Sequence, residues 1–377
     1  MEMQVTSIGT GETILAFLFV LTVVVFFHEL GHFLVARWCG VKVRTFSIGF
    51  GPEIFGFYDK KGTRWRFAWI PLGGYVKFLD DENAASAPDH DAIAAMTEEE
   101  RAGSFHYKPL YQRAAIVAAG PIANFILAIV IYAVLFTAVG QTIISPRVDQ
   151  VVEGSAAESA GFKNGDLVVE IDGEPIESFG EMQRIVGLSA DEQLTVVVMR
   201  DEARVELTAT PERKEKQDFF GNTVRMGVLG ISRSNAAEDR TFERHDPFTA
   251  LWLGTKETYT IASHTLVYVG RVFSGRESAD QLGGPLRIAQ VSGQVASLGF
   301  VALIGLTAVL SVSIGLLNLF PIPILDGGHL LFYAIEAVRG RPLSQKTQEI
   351  GFRIGLALVL MLMIFVTWND LIQFKLL

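Results

Sequence analysis

Four stretches of this 377-residue chain are apolar for long enough to cross a bilayer core, which takes roughly 20 residues of helix. They are Ile14–Ala36, Ala114–Val139, Leu298–Leu319 and Ile354–Trp368 with its flanks. A segment in lipid must satisfy its own backbone hydrogen bonds, so each is expected as a helix. Composition agrees, with half of the residues hydrophobic, 19% charged and a mean hydropathy of +0.33. The net charge of −9 argues against a nucleic-acid partner, which calls for a basic patch. A single cysteine, Cys39, excludes an internal disulfide and a cysteine-based zinc site. No Lys or Arg precedes Arg37, so the first span lacks the basic flank of a cleaved signal peptide.

Basic residues beside the spans predict their orientation. Arg37, Lys42 and Arg44 follow the first span, and Lys108 and Arg113 precede the second. Arg339, Arg341, Lys346 and Arg353 lie between the third and fourth, whereas Glu2 and Glu12 open the chain and Lys375 is near its end. Segments 37–113 and 326–353 are therefore expected in the cytoplasm, with both termini and the long segment 140–297 outside.

The first span carries His28-Glu29-Leu30-Gly31-His32. On a helix, His28 and His32 share a face and can bind one metal ion, with Glu29 about 100° away, near enough to take a proton from bound water. Titratable residues inside a membrane span are costly and mark function. A catalytic zinc needs a third protein ligand and an open position for water. In Asn318-Leu-Phe-Pro-Ile-Pro-Ile-Leu-Asp-Gly-Gly-His329, Pro321 and Pro323 break the third helix and Asp326-Gly327-Gly328 is expected to turn the chain. Asp326 is the candidate third ligand, with His329 the alternative. Asn318 and Asn124 are amides at membrane depth that need partners; with Pro321 and Pro323 they are the candidate substrate-binding residues.

Two aromatic, Gly- and Pro-punctuated pieces within 43–79 suggest strands turning at Asp59–Thr63, and 80–104 reads as an acidic loop. Such strands are tolerated at membrane depth only where protein or a wet cavity covers their backbone. Beyond the second span, a strand is expected at Leu167–Ile171, a turn at Asp172-Gly173, a helix near Glu181–Val186 and a hairpin turning at Asp201-Glu202. With Ala160-Gly161 and Gly165-Asp166, these resemble one PDZ domain over Val148–Pro211. Residues 246–273 have helical amphipathic spacing and either lie on the outer membrane surface or pack beneath that domain.

The expected organisation is a polytopic α-helical membrane protein. It begins with a first transmembrane helix (1–36), a cytoplasmic-side re-entrant β segment and loop (37–113) and a second helix (114–139). A PDZ domain (140–214), an amphipathic segment (215–297), a third span (298–325), a cytoplasmic loop (326–353) and a fourth span with its tail (354–377) follow.

His-Glu-Leu-Gly-His in the first span, Ala118–Asn124 in the second, one PDZ-like domain, Leu282–Pro285 and the 318–329 motif recur in an order that resembles the site-2 protease family of intramembrane zinc proteases. The resemblance is to its bacterial regulator-of-sigma-E protease (RseP) branch, from whose well-known tandem-PDZ member this chain departs in having one such domain. It implies one Zn2+ per chain held by His28, His32 and Asp326, with Glu29 as general base and Asn318 handling substrate. It also implies an inner-membrane location, a periplasmic PDZ domain and a site near the cytoplasmic face. The implied substrates are single-span membrane proteins trimmed beforehand by a site-1 protease, such as anti-sigma factors, or remnant signal peptides. A non-catalytic membrane binding module and a metal-ion transporter are the rival classes. Glu29 speaks against the first, because a structural site needs no base. The want of further intramembrane ligands forming a path speaks against the second.

Overall fold

The structure is a computed structural model that describes residues 9–80, 96–217, 223–232, 240–276, 279 and 282–373. Glu2, Lys375 and most of the expected acidic loop, 81–95, lie outside the described residues. Two compact units emerge: Met1–Val134 with Phe248–Leu377, and Leu135–Pro247.

In the first unit, helix α1 (Thr10–Trp38) leads into a hairpin of β1 (Val43–Tyr58) and β2 (Arg64–Phe78). The short helix α2 (Glu98–Ala102) and the long helix α3 (Leu110–Ala138) follow. Val23–Val25 in α1 would favour a strand in water, but a long apolar run leaves the backbone only the helix. The hairpin turns at Asp59–Thr63, as expected, with Gly62 in the left-handed region at φ +82°. Arg37 at the end of α1 clamps this turn, reaching Asp59 Oδ2 at 2.5 Å and Thr63 Oγ1 at 2.9 Å. Burial works against the Asp59 carboxylate, but donors from Trp65, Lys61, Thr63 and Arg37 hold its pKa down at about 2. One side of the hairpin packs Phe46, Ile48, Val76 and Phe78 against Phe33 and Ala36 of α1. Its outer residues, Ile54, Phe55, Phe57, Trp69 and Ile70, are exposed.

The second unit takes in the last residues of α3 and continues with β3 (Gln141–Ile144), β4 (Gln150–Val151), helix α4 (Ala156–Ser159), β5 (Leu167–Ile171) and β6 (Glu174–Pro175). Helix α5 (Phe179–Leu188) and strands β7 (Leu194–Arg200), β8 (Ala203–Ala209), β9 (Glu212–Gln217), β10 (Thr223–Val228), β11 (Ile231–Ser232) and β12 (Arg240–Glu243) complete it. The central sheet runs β6-β5-β7-β8, and β9/β10, β4/β11 and β3/β12 form separate antiparallel pairs. Its core gathers Val148, Val168, Ile171, Met182, Val196, Val198 and Leu229. The strand, turn, helix and hairpin anticipated over 167–209 are all present, with Asp201 (φ 47°) and Glu202 (φ 65°) making the tight turn.

The first unit resumes with α6 (Pro247–Phe273), α7 (Pro285–Ser297), α8 (Phe300–Asn318), α9 (Asp326–Arg339) and α10 (Gln345–Gln373). Helices α1, α3, α8 and α10 are long and apolar enough to cross a membrane, so the chain is a multi-pass membrane protein. Helix α6 exposes Phe248, Trp252, Tyr259 and Phe273. Helix α7 was not foreseen. Gly284 and Pro285 open it, and its first amides point at Asp370 of α10, which accepts from Gly284, Leu286 and Arg287 N–H at 2.9–3.1 Å.

One expectation is corrected here. Segment 326–353 is not a loop: α9 and the start of α10 occupy most of it, and Asp326 is the first residue of α9 rather than a turn residue. The reversal lies upstream, where Ile324 takes φ +103°. Gly327 and Gly328 serve close packing, since a Cβ on either would lie 2.2 Å from the Leu319 carbonyl or 2.4 Å from that of Ile322.

Candidate metal and active site

Helices α1, α3 and α8 meet through small residues. A Cβ on Gly31 would come within 2.2 Å of the Ala119 carbonyl, and one on Gly120 within 2.2 Å of His32 Nε2. A Cβ on Gly315 of α8 would lie 3.0 Å from Asn124 Cβ and 3.2 Å from the Pro121 carbonyl of α3. Pro121 has no N–H for the fourth carbonyl before it, which loosens α3 at this crossing. Just before it, the Ile116 carbonyl lies 2.8 Å from His32 Nδ1. With Nδ1–H donating there, His32 Nε2 is a bare lone pair.

That lone pair faces two other ligand atoms. His32 Nε2 lies 3.3 Å from His28 Nε2 and 3.5 Å from Asp326 Oδ2, and His28 Nε2 lies 3.1 Å from Asp326 Oδ2. These are close to the edge of a tetrahedron with zinc-length bonds, about 3.3 Å. Asp326 Oδ2 is buried without a hydrogen-bond partner, an expensive arrangement unless a cation receives it. The His/His/Asp donor set therefore fits a metal ion.

The comparisons with known proteins agree. Residues 16–362 match the model of peptidase family M50. The chain belongs to the M50 family. It is 52% identical over 369 residues to a provisionally named zinc metalloprotease of Agrobacterium fabrum, covering 98% of each chain. It is 50% identical over 359 residues to a similarly named protein of Rhizobium meliloti, covering 95% of this chain and 96% of that one. With metalloprotease MmpA of Caulobacter vibrioides the identity is 44% over 386 residues, covering 97% of this chain and 96% of that protein. This M50 chain is thus a zinc metalloprotease of the site-2 protease family, and Zn2+ is its cofactor.

A cavity of about 720 Å³ opens on the centre of the M50 site. His28, Glu29, His32, Asn318 and Asp326 line it together. Gly74 of β2 abuts Glu29, since a Cβ there would sit 2.9 Å from Glu29 Cγ. Asn318 Nδ2 donates to the Ile314 carbonyl one turn back in α8. Pro321 and Pro323 do not line the cavity; the Pro323 carbonyl instead packs against Gly355 of α10, where no side chain would fit. Asn124 is fully buried and does not line it either.

His329, the alternative third ligand, belongs to the cavity wall, as do two groups that were not foreseen, Arg113 and His106. His329 lines the cavity from α9, and burial pushes its imidazole towards the neutral form. Arg113 pairs with Glu336 at 2.6 Å, tying α3 to α9. His106 donates from Nδ1 to Asp80 at 2.8 Å; Asp80 also accepts from Ser104 Oγ and the Phe105 and His106 amides. Burial opposes the Asp80 charge, yet these donors hold its carboxyl well below the usual carboxylate range. Only the scarcity of histidine pointed to His106, because its partner lies 26 residues away across 81–95.

Proposed function

We propose that this chain is an intramembrane protease that cleaves single-span membrane proteins, with zinc held by His28, His32 and Asp326 and with Glu29 as general base. One observation carries the reading: three ligand atoms at tetrahedral-edge separations share a cavity with a glutamate inside a membrane-spanning helix. Zinc at such a centre lowers the pKa of water to about 7 and polarises a carbonyl. Glu29 takes the proton from the attacking water and returns it to the leaving amine. Asn318, on the same wall, holds the substrate backbone near the centre. The hairpin β1/β2 is read as a re-entrant element whose edge keeps an unwound substrate extended by β-addition.

The chain is assigned to the single-PDZ type of the regulator-of-sigma-E protease branch, in a bacterial inner membrane. The PDZ domain spans 140–214 in the periplasm and the catalytic centre lies near the cytoplasmic face. Substrates are trimmed outside by a site-1 protease before they enter, as anti-sigma factors or remnant signal peptides would be, and the PDZ domain excludes proteins that keep bulky outer domains.

Metal analysis and proteolysis of a single-span model substrate, in the same detergent preparation, test the core of this reading. Wild type should hold one zinc and cleave within the span, and His28→Ala should lose both. Cleavage that survives the loss of zinc, or zinc that survives His28→Ala, would overturn it.

A further inference from the structure

The two histidines of the centre are held differently. The outward nitrogen of His32 meets a backbone carbonyl, whereas that of His28 meets a side chain, with Asn124 Nδ2 at 3.3 Å from His28 Nδ1. Because His28 Nε2 points at Asp326 and His32, its metal-binding lone pair is there and the ring proton sits on Nδ1. A donor then faces a donor, while the other end of the same amide, Asn124 Oδ1, is buried with no partner. A half-turn of the isosteric amide places Oδ1 on the His28 Nδ1–H, which turns the donor–donor contact into a hydrogen bond and gives Oδ1 a partner.

Little else can move. Ser311 Oγ of α8 donates to the Asn124 carbonyl at 2.8 Å, and Gly315 leaves only contact distance to Asn124 Cβ, where a methyl would sit 3.0 Å away. Asn124 is 0% exposed, so no substrate reaches it. We infer that Asn124 is a positioning residue of the metal centre: its Oδ1 accepts from His28 Nδ1–H and fixes the tautomer and ring plane that present Nε2 to the ion. It does for His28 what the Ile116 carbonyl does for His32. The substrate-binding expectation for Asn124 is replaced by this role.

The inference rests on the proposed zinc centre, so its test includes a control on that centre. Zinc affinity is measured by competition with a chromogenic chelator, and Co2+-loaded protein is followed by its visible absorption, for wild type, His28→Ala, Asn124→Leu and Asn124→Asp. Asn124→Leu, similar in volume but without an acceptor, should bind zinc ten- to a hundredfold more weakly and shift the Co2+ bands. Asn124→Asp keeps an acceptor and should stay within about threefold of wild type or bind more tightly. Wild-type affinity and an unchanged Co2+ spectrum in Asn124→Leu would overturn the inference. If that variant does not fold, Asn124→Asp decides, and a loss beyond tenfold there would overturn it. Undiminished zinc binding in His28→Ala would instead fault the proposed centre itself.

Discussion

At the residue scale, this site depends on side chains that are missing as much as on those present. A methyl on Gly120 would lie 2.2 Å from His32 Nε2, so Gly120→Ala should push the imidazole off the centre and lower both zinc retention and cleavage. Dialysis against a mild chelator followed by elemental analysis would show it; full zinc occupancy would mean that α3 can retreat. Glu29 separates chemistry from metal binding, because the proposed base is not a ligand. Glu29→Gln should retain zinc while cleavage falls by about 10²–10⁴-fold, and near-normal turnover would remove Glu29 from the mechanism. Asp326→Asn should lose activity and zinc together, since a neutral amide is a poor substitute for a carboxylate ligand. His28, Glu29 and His32 were legible because residues four apart on a helix share a face whatever the rest of the chain does. Asp326 was legible as a carboxylate, but its setting was misread: Gly-Gly suggests a turn, and only the packing of residues 319–323 against α9 shows why the glycines belong to a helix.

Among elements, the four spans were legible from hydropathy alone, and the sheet of the second unit from turn chemistry and alternation. Helices α7 and α9 were hidden, since each is short and only partly apolar, and its ends are set by groups far away in sequence. The first amides of α7 wait on Asp370, a residue of α10 that is 1% exposed. Asp370→Ala should strand those donors and cost on the order of 1–3 kcal/mol, read as a lower melting temperature in detergent, while zinc stays bound. An unchanged melting temperature would show that water replaces the carboxylate. Asp80 does similar work where β2 ends, gathering Ser104, Phe105 and His106 ahead of α3. Its folded-state pKa is depressed, so its contribution is present above the unfolded value and is lost as pH falls below about 4. Asp80→Asn should therefore lower stability at neutral pH and flatten its decline below pH 4. A parallel decline in both proteins would place the acid sensitivity elsewhere.

For the whole molecule, β3 and β12 pair from Gln141 with Glu243 to Ile144 with Arg240, so the chain leaves and re-enters the second unit at neighbouring points. A short turn joining 144 to 240 should therefore excise 145–239 and leave the spans intact. If that domain is a size filter, the excised protein keeps zinc, cleaves short-tailed substrates and gains untrimmed ones; loss of short-tailed cleavage would show recruitment instead. The clasp between α7 and α10 carries a further consequence, for biosynthesis. Asp370 lies 86 residues after Gly284, so at ribosomal speeds the start of α7 waits roughly 4–17 s for its partner. Nascent chains stalled before residue 370 should then leave this helix open to proteolytic nicking, and the mutation-sensitive step of assembly should fall at the insertion of the last span.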